Sequence, residues 1–427
     1  MPRSLLSIAS LLLGSAFLFF AGGLTGVLLP VRGGIEGFSS FWLGLLGTGW
    51  AVGYVSGCLY VPRIVTRSGH IRAYSVMAAC ACISILLTSM LMVPIAWVVL
   101  RALAGFAFAG AAMIVESWLT ERSSSSVRGV IFGTYTMVNL FATTVGQMVI
   151  AVVPAEGVHL FTISAIFYVV ALLPTALTRS PAPAPLARVT LDVAKLWRNS
   201  PIAVVAVFLT GVSNGTFGTL AAVYGRDIGL DLAGIALFVS ASILAGAATQ
   251  IPVGYISDKM DRRYVVIGIA IVAIISDGFF LNNAPKDTWS AVIHAAVFGA
   301  AIFTFYPVLV AHANDHAAPE DSLQTSGGLL LMIGVGSIVG PLIAGALMSA
   351  WNEQGLFIVT LVSHTLILLY AIWRLTQRKA APGDEKSRFI PIAPMRTRTP
   401  QTILMADQLA EPEADDGGEK ATSARQP

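Results

Sequence analysis

The stretch VGYISDKMDRRYVV, residues 253–266, places five charges in the six positions from Asp258 to Arg263. On both sides the chain is almost pure hydrocarbon, with one apolar run at 232–256 and another at 264–282. Each run is close to the roughly 20 residues that an α-helix needs to cross ~30 Å of hydrocarbon. A charge knot this short between two such runs reads as a tight turn at a membrane surface. Lipid offers the backbone no hydrogen-bond partner, so the runs are predicted to be helices. Barrel strands would alternate in polarity, and these runs do not.

Working outward, similar runs recur at about 5–30, 40–62, 73–93, 95–118, 130–153, 158–178, 202–224, 289–311, 324–348 and 355–375, which predicts twelve helices in all. The first follows Arg3 and could pass for a signal peptide, but it is too long for one and leads into Pro30 and a short loop. Composition agrees with a membrane protein. Of 427 residues, 56% are hydrophobic and only 11% are charged, against about 25% charged in an average soluble domain. A net charge of +3 suggests no nucleic-acid partner. Cys58, Cys80 and Cys82 lie in apolar runs without pairing or metal-ligand spacing, so they are read as inert thiols. No cofactor is implied.

Lys and Arg are unevenly shared between the loops. One set of turns holds Arg63, Arg67, Arg72, Arg122, Arg128, Arg179, Arg188, Lys195, Arg198, Lys259, Arg262, Arg263, Arg374, Arg378 and Lys379. The other set holds only Arg32, Arg226 and Lys286. The positive-inside rule then predicts both termini in the cytoplasm.

The chain divides in the middle. The predicted units are an N-terminal six-helix bundle (1–178), a cytoplasmic linker (179–201), a C-terminal six-helix bundle (202–378) and a disordered cytoplasmic tail (379–427). The linker starts Pro-rich, a stiff spacer. It then puts Val189, Val193, Leu196 and Trp197 on one helical face, as in a helix lying on the inner membrane surface; a plain loop is the alternative. The tail is rich in Pro, Gly, Asp, Glu and Ala, with too little apolar surface to fold alone, so it is expected to be dispensable.

Six helices, a linker and six more suggest a duplication, and the turns support it. The second-half turn reads Gly254-Tyr-Ile-Ser-Asp258-Lys259-Met-Asp261-Arg262-Arg263, and the first-half turn reads Pro62-Arg63-Ile-Val-Thr66-Arg67-Ser-Gly69-His70-Ile-Arg72. This pattern resembles the loop signature of the major facilitator superfamily, Gly-x-x-x-Asp-(Arg/Lys)-x-Gly-(Arg/Lys)-(Arg/Lys), with Asp261 in place of the second Gly. The first copy departs, with Pro62 for Gly and Thr66 for Asp. LRALAGFAFAG (100–110) spaces Arg101, Gly105 and Gly110 as that family's fourth helix does. ESWLTERSSSSVRG (116–129) looks most like the YcaD-type permeases of bacteria. The resemblance covers residues 1 to about 378. It implies an all-α polytopic membrane protein of twelve transmembrane helices in two bundles, and little about cargo.

It also implies roles. Asp258, Lys259, Arg262, Arg263 and Arg67 become a conformational latch, with Asp258 aimed at the start of the eleventh helix near Ser322. The competing reading is a topology anchor alone. Arg101, well inside the fourth helix, is the leading coupling or substrate candidate, and Glu116 near its inner end the second. In this fold helices one, four, seven and ten line the cavity, which brings forward Phe20, Thr25, Phe108, Ser213, Asn214, Phe217, His294, Phe298 and Tyr306. Asn139, Gln147 and Gln250 could add polar contacts. Any single one of these residues is more often a packing residue.

Ionisable residues at membrane depth default to functional candidates. Asp277 is the exception, since near a helix end snorkelling or capping ranks above function. His294 and His364 are read first as hydrogen-bonded core histidines. His312 and His316, four apart with Asp315 beside them, could hold a metal, but such residues also cap helices, so the expectation is no metal site. GVGSIVGPLIAG (334–345) reads as close packing with a hinge at Pro341.

The leading function is therefore a secondary active transporter that moves a small solute by alternating access, proton- or solute-gradient coupled, with uptake slightly favoured over efflux. Its expected partners are membrane lipid, a small-molecule or ion substrate and protons, as a monomer in the bacterial inner membrane. A proton-antiport exporter is the nearest alternative, weakened by the absence of Pro from TTVGQMVIAV in the fifth helix. A non-transporting sensor or scaffold is the alternative of another class. No clustered carboxylates or nucleophile–base pair support an enzyme, and no phosphate-binding loop supports an ATP-driven pump.

Overall fold

The structure is a computed structural model that describes residues 2–121, 125–176, 186, 192–285, 287–318, 321–377, 387, 389–392 and 398–410. The first half builds α1 (Pro2–Ile35), α2 (Ser40–Ser68), α3 (His70–Met90), α4 (Pro94–Glu121), α5 (Ser125–Met148), α6 (His159–Val170) and the short α7 (Leu172–Ala176). After the linker helix α8 (Val193–Asn199) come α9 (Pro201–Asp227), α10 (Leu232–Lys259), α11 (Arg262–Asn282), α12 (Thr288–Ile302), α13 (Phe305–Asn314), α14 (Ser322–Ala350) and α15 (Gly355–Leu375). A last helix, α16 (Pro400–Ala410), lies in the tail.

Among the described residues, nine helical spans are long and apolar enough to cross a membrane. One of them, Thr288–Asn314, joins α12 and α13. α2, α5 and α6–α7 stand where the other three expected spans fall. α1 runs on through Pro30 to Ile35, past the expected loop. Large apolar side chains such as Met137, Phe141, Ile275 and Ile293 are at least 60% exposed. Water would penalise that surface and lipid does not.

Glycines set how closely helices approach. α2 carries Gly49, Gly53 and Gly57 at four-residue spacing against Val98, Ala102 and Phe106 of α4. A Cβ at Gly53 would overlap the Ala102 carbonyl. Small residues at this spacing let membrane helices meet backbone to backbone. α14 does the same twice. Gly336 and Gly340 press on Phe208 and Val212 of α9, while Gly334 and Gly345 face Val55 and Ser40 of α2. The glycines of 334–345 thus join the two halves of the chain.

The turns at 68–70 and 259–262, α8 and the end of α15 share one end, where Arg263 donates to the Arg374 carbonyl at 3.3 Å and Lys195 pairs with Asp321 at 2.7 Å. At this basic end Leu196 of α8 packs on Gly328 of α14, while Trp197 is 48% exposed. Residues 179–185 and 187–191 of the linker, with Val189, lie outside the described residues, as do 379–386, 388, 393–397 and 411–427 of the tail. The described part of the tail departs from the expectation of disorder. Phe389, Ile392, Ile403, Met405 and Ala406 are buried. Compositional reasoning fails there because the segment buries its few apolar groups against the bundle, not against itself.

Candidate functional site

Between the halves lies a cavity in two chambers. The larger, about 930 Å³, is walled by Phe19, Trp50, Phe108, Phe217 and Tyr168, with Arg101, Thr25, Thr143, Gln147 and Asn214 as its polar groups. The smaller, about 590 Å³, shares Trp50, Asn214 and Phe303 with it and adds Tyr54, Cys58, Ser337 and Arg398.

Arg101 reaches the larger chamber because α2 and α4 touch. The glycine seam brings Trp50 beside it, with the guanidinium carbon 6.0 Å from the indole centroid. No carboxylate among the described residues lies within ion-pair distance of Arg101. A guanidinium keeps its charge, so the chamber holds a fixed cation facing aromatic walls.

The tenth span breaks between Ile302 and Phe305. Pro307 has no N–H to give the Phe303 carbonyl, which a continuous helix would supply at that position. Gln250 of α10 donates to that carbonyl at 3.3 Å instead. The break turns Phe303 into both chambers. Interrupted membrane helices of this kind are tolerated where they line a cavity.

At the end away from the basic turns the halves are closed on each other. Phe41 N–H donates to Ser349 Oγ at 2.7 Å, Thr48 Oγ1 to the Ile338 carbonyl at 2.8 Å and Ser240 Oγ to Gln147 Oε1 at 2.9 Å. Gly44 leaves room only for a hydrogen beside the Pro341 carbonyl.

A second polar group sits deep in the C-terminal half. Asp277 is fully buried, and does not snorkel. Its carboxylate takes the Thr360 hydroxyl at 2.6 Å and meets His364 Nδ1 at 2.6 Å. His364 Nε2 lies 2.8 Å from Ser213 Oγ, next to Asn214 in the cavity wall. Sequence reading missed this chain because its members come from α9, α11 and α15.

The charge knot splits inward. Arg262 is 1% exposed and bonds Asp315 at 2.7 Å, Ser257 at 2.9 Å, Asp258 at 3.2 Å and the Ser387 carbonyl. Asp258 also accepts from the Phe389 N–H at 3.1 Å. It does not reach the start of α14, where Lys195 engages Asp321 instead. Arg263 is held by Asp261 at 2.6 Å. Burial pushes the Asp261 carboxyl up, but Arg263's hydrogen bonds and charge outweigh it and hold that carboxyl below its usual range. Lys259 folds onto the Tyr255 ring, 4.0 Å from its centroid, and Arg67 is exposed.

Glu116 lines neither chamber. It is 1% exposed and accepts from Tyr135 at 2.9 Å, Thr402 at 2.9 Å and Thr399. Of the other candidates, Thr25, Phe108, Asn214 and Phe217 line the larger chamber. Asn139 is buried on α5 outside it. His294 stacks on Phe279, and Phe298 packs among Phe217, Phe280 and Phe357. Tyr306 is buried under the Arg398 guanidinium, 4.4 Å from its ring centroid. His312 and His316 stay adjacent, but Asp315 is committed to Arg262 and Ser387. Among the described residues no group of three His, Cys, Asp or Glu is placed to share a metal ion.

Residues 203–406 match the family model described as Major Facilitator Superfamily. The chain is 26% identical over 370 residues to a Salmonella newport (strain SL254) protein named "Uncharacterized MFS-type transporter YcaD", covering 85% of this chain and 94% of that one. It superposes on the crystal structure of the nucleoside transporter NupG with a TM-score of 0.73 at 15% identity, covering 87% of this chain and all of that one (100%). A bacterial homologue of the human lysosomal transporter Spinster, inward-facing and occupied, gives a TM-score of 0.69 at 16% identity, covering 90% and 99%.

Proposed function

Because the chain carries the fold of the major facilitator superfamily and its second half matches that family's model, we propose that it is a secondary transporter with twelve membrane-spanning helices. It moves a small organic solute by alternating access, with uptake slightly favoured over efflux. The observation that carries this reading is the cavity between the halves, sealed at one end by the α2–α14 seam and containing Arg101, which has no carboxylate partner among the described residues. Aromatic walls, a few amides and one fixed cation suit a solute with a flat apolar part and an anionic group. The experiment is accumulation in proteoliposomes under an imposed gradient. Failure to accumulate any solute of that class would favour a sensor or scaffold.

Orientation is part of the proposal. The basic end faces the cytoplasm of a bacterial inner membrane, held there by anionic headgroups. Reporter fusions after residues 190 and 260 are expected to read cytoplasmic, and fusions near 35 and 228 external. An external signal at 260 would reverse the assignment.

Proton coupling is favoured over other gradients by Asp277–His364–Ser213, a buried titratable pair hydrogen-bonded toward the cavity wall. A proton held there changes the net charge of a site that lipid and protein both shield from water. Asp277→Asn keeps the shape and removes the charge. It is expected to abolish proton-driven accumulation while solute counterflow continues. Unchanged proton-driven accumulation would exclude the pair from coupling.

A further inference from the structure

The tail meets the charged turn at Gly254, Asp258 and Arg262. The Phe389 ring fills the space that a Cβ at Gly254 would take. Its N–H bonds Asp258, and the Ser387 carbonyl bonds Arg262. Ser387 N–H and Oγ each reach Asp315 at 2.8 Å. Ile392 N–H then bonds Gln250 Oε1 at 2.9 Å, the same amide that holds the break in the tenth span. These contacts all lie on the C-terminal half.

From Arg398 onward the described residues also reach the N-terminal half, where Thr399 and Thr402 bond Glu116. Arg398 is 5% exposed, lies on Tyr306 and forms part of the wall of the smaller chamber. α16 has its own start signal. Thr399 accepts from the Gln401 and Thr402 N–H groups at 3.1 and 3.2 Å, and Thr402 Oγ1 accepts the Thr399 N–H at 3.1 Å, with Pro400 at the first helical position. Reciprocal capping with Pro at this position starts a helix. Both hydroxyls are also spent on Glu116. The segment therefore satisfies a buried carboxylate of one half and a buried guanidinium, Arg262, of the other.

We propose that the described tail residues 387, 389–392 and 398–410 act as a tethered plug. Docked, the segment bridges the two halves at the basic end, puts Arg398 in the cavity wall and closes the route from the cavity to that side. Undocked, it opens the route and frees Glu116, Asp258 and Asp315 to rearrange. The plug rests on the transporter reading for its purpose, but its docking is measurable without any cargo.

Cys58 is the reporter, since it lines the smaller chamber beside Arg398. In a Cys80→Ser/Cys82→Ser chain, it is probed in inside-out vesicles with a membrane-impermeant maleimide. Three forms are compared: that chain, its Arg398→Ala/Thr399→Val/Thr402→Val variant, and a chain cut after folding at a protease site placed after residue 382 and then washed. Labelling through an opening follows the open population, so both altered forms are expected to label about tenfold faster or more. A soluble peptide of residues 387–410 is expected to restore slow labelling to the cut form. The cut form settles the matter if the variant does not fold, because its fold precedes the cut. Equal labelling before and after cutting would overturn the plug. Protected Cys58 in a protein that accumulates no solute would leave the plug standing and overturn the transporter reading.

Discussion

Arg101→Ala is expected to abolish transport while the protein still inserts and folds, and Arg101→Lys to keep only a small fraction of the parental rate. The guanidinium faces the larger chamber with no carboxylate partner in reach among the described residues, so its loss leaves no buried charge stranded. Removing it should therefore spare stability, unlike breaking a buried ion pair, which costs about 3–5 kcal/mol. What is lost is the only described cation of that chamber and, with it, the fixed positive field. Lysine keeps the charge but not the planar fork that grips a carboxylate with two hydrogen bonds, nor the same stacking on Trp50. Uptake rates with expression and melting temperature checked in parallel decide it. Parental rates in both variants would make Arg101 a packing residue.

Gly44→Leu is expected to be as severe by a different route. At Gly44 the α2 backbone lies against Pro341, and Gly345 Cα is 3.0 Å from where a Cβ would stand. That contact is made here with the end away from the basic turns shut, and separating the halves at that end would break it. A leucine cannot fit there, and overpacking costs about 1–3 kcal/mol even in cores that relax. Such a difference shifts a balanced two-state equilibrium by about 5- to 150-fold. The halves should rest open at that end, and steady transport should collapse because one half of the cycle is blocked. Thr48→Cys reports it, since Thr48 is bonded to Ile338 across the closed seam. Labelling of that cysteine from the external side should rise with Gly44→Leu. No rise would mean that the seam does not open during the cycle.

Much of the fold was legible because membrane helices announce themselves by length and composition. Every apolar run predicted from the sequence has a helix over it. The turn at 258–263 was equally plain, since charges must leave lipid. Contacts between distant segments were not legible. Trp50, Tyr54 and Tyr168 face the cavity from helices that the family pattern does not count as cavity-lining. Trp50 and Tyr54 do so because glycine seams pull α2 against α4, a register that local pattern does not encode. Asp277 looked like a residue near a helix end, and only tertiary packing supplies His364 and Thr360. The tail was misread for a related reason. Its composition describes a chain that cannot fold alone, and it folds on a partner surface whose donors and acceptors lie up to 286 positions away, as Thr402 and Glu116 do. One signal was available: Thr399-Pro400-Gln401-Thr402 is a helix start in a segment otherwise read as structureless.

A duplicated architecture offers any wandering segment two equivalent addresses, and a plug that could sit at either would jam the cycle in two registers. Here the degeneracy is broken in the sequence itself. Where the second half has Gly254, a bare Cα that admits the Phe389 ring, the first half has Pro62. Where the second half has Asp258, ready to accept a backbone N–H, the first has Thr66, whose hydroxyl is turned back on the Pro62 carbonyl. The missing glycine and carboxylate of the first turn thus act as a refusal. Discrimination between near-identical sites is won as much by what the wrong site lacks as by what the right one provides. Pseudo-symmetry supplies the machine, and a two-residue lapse from it tells the tail which of the two turns to hold.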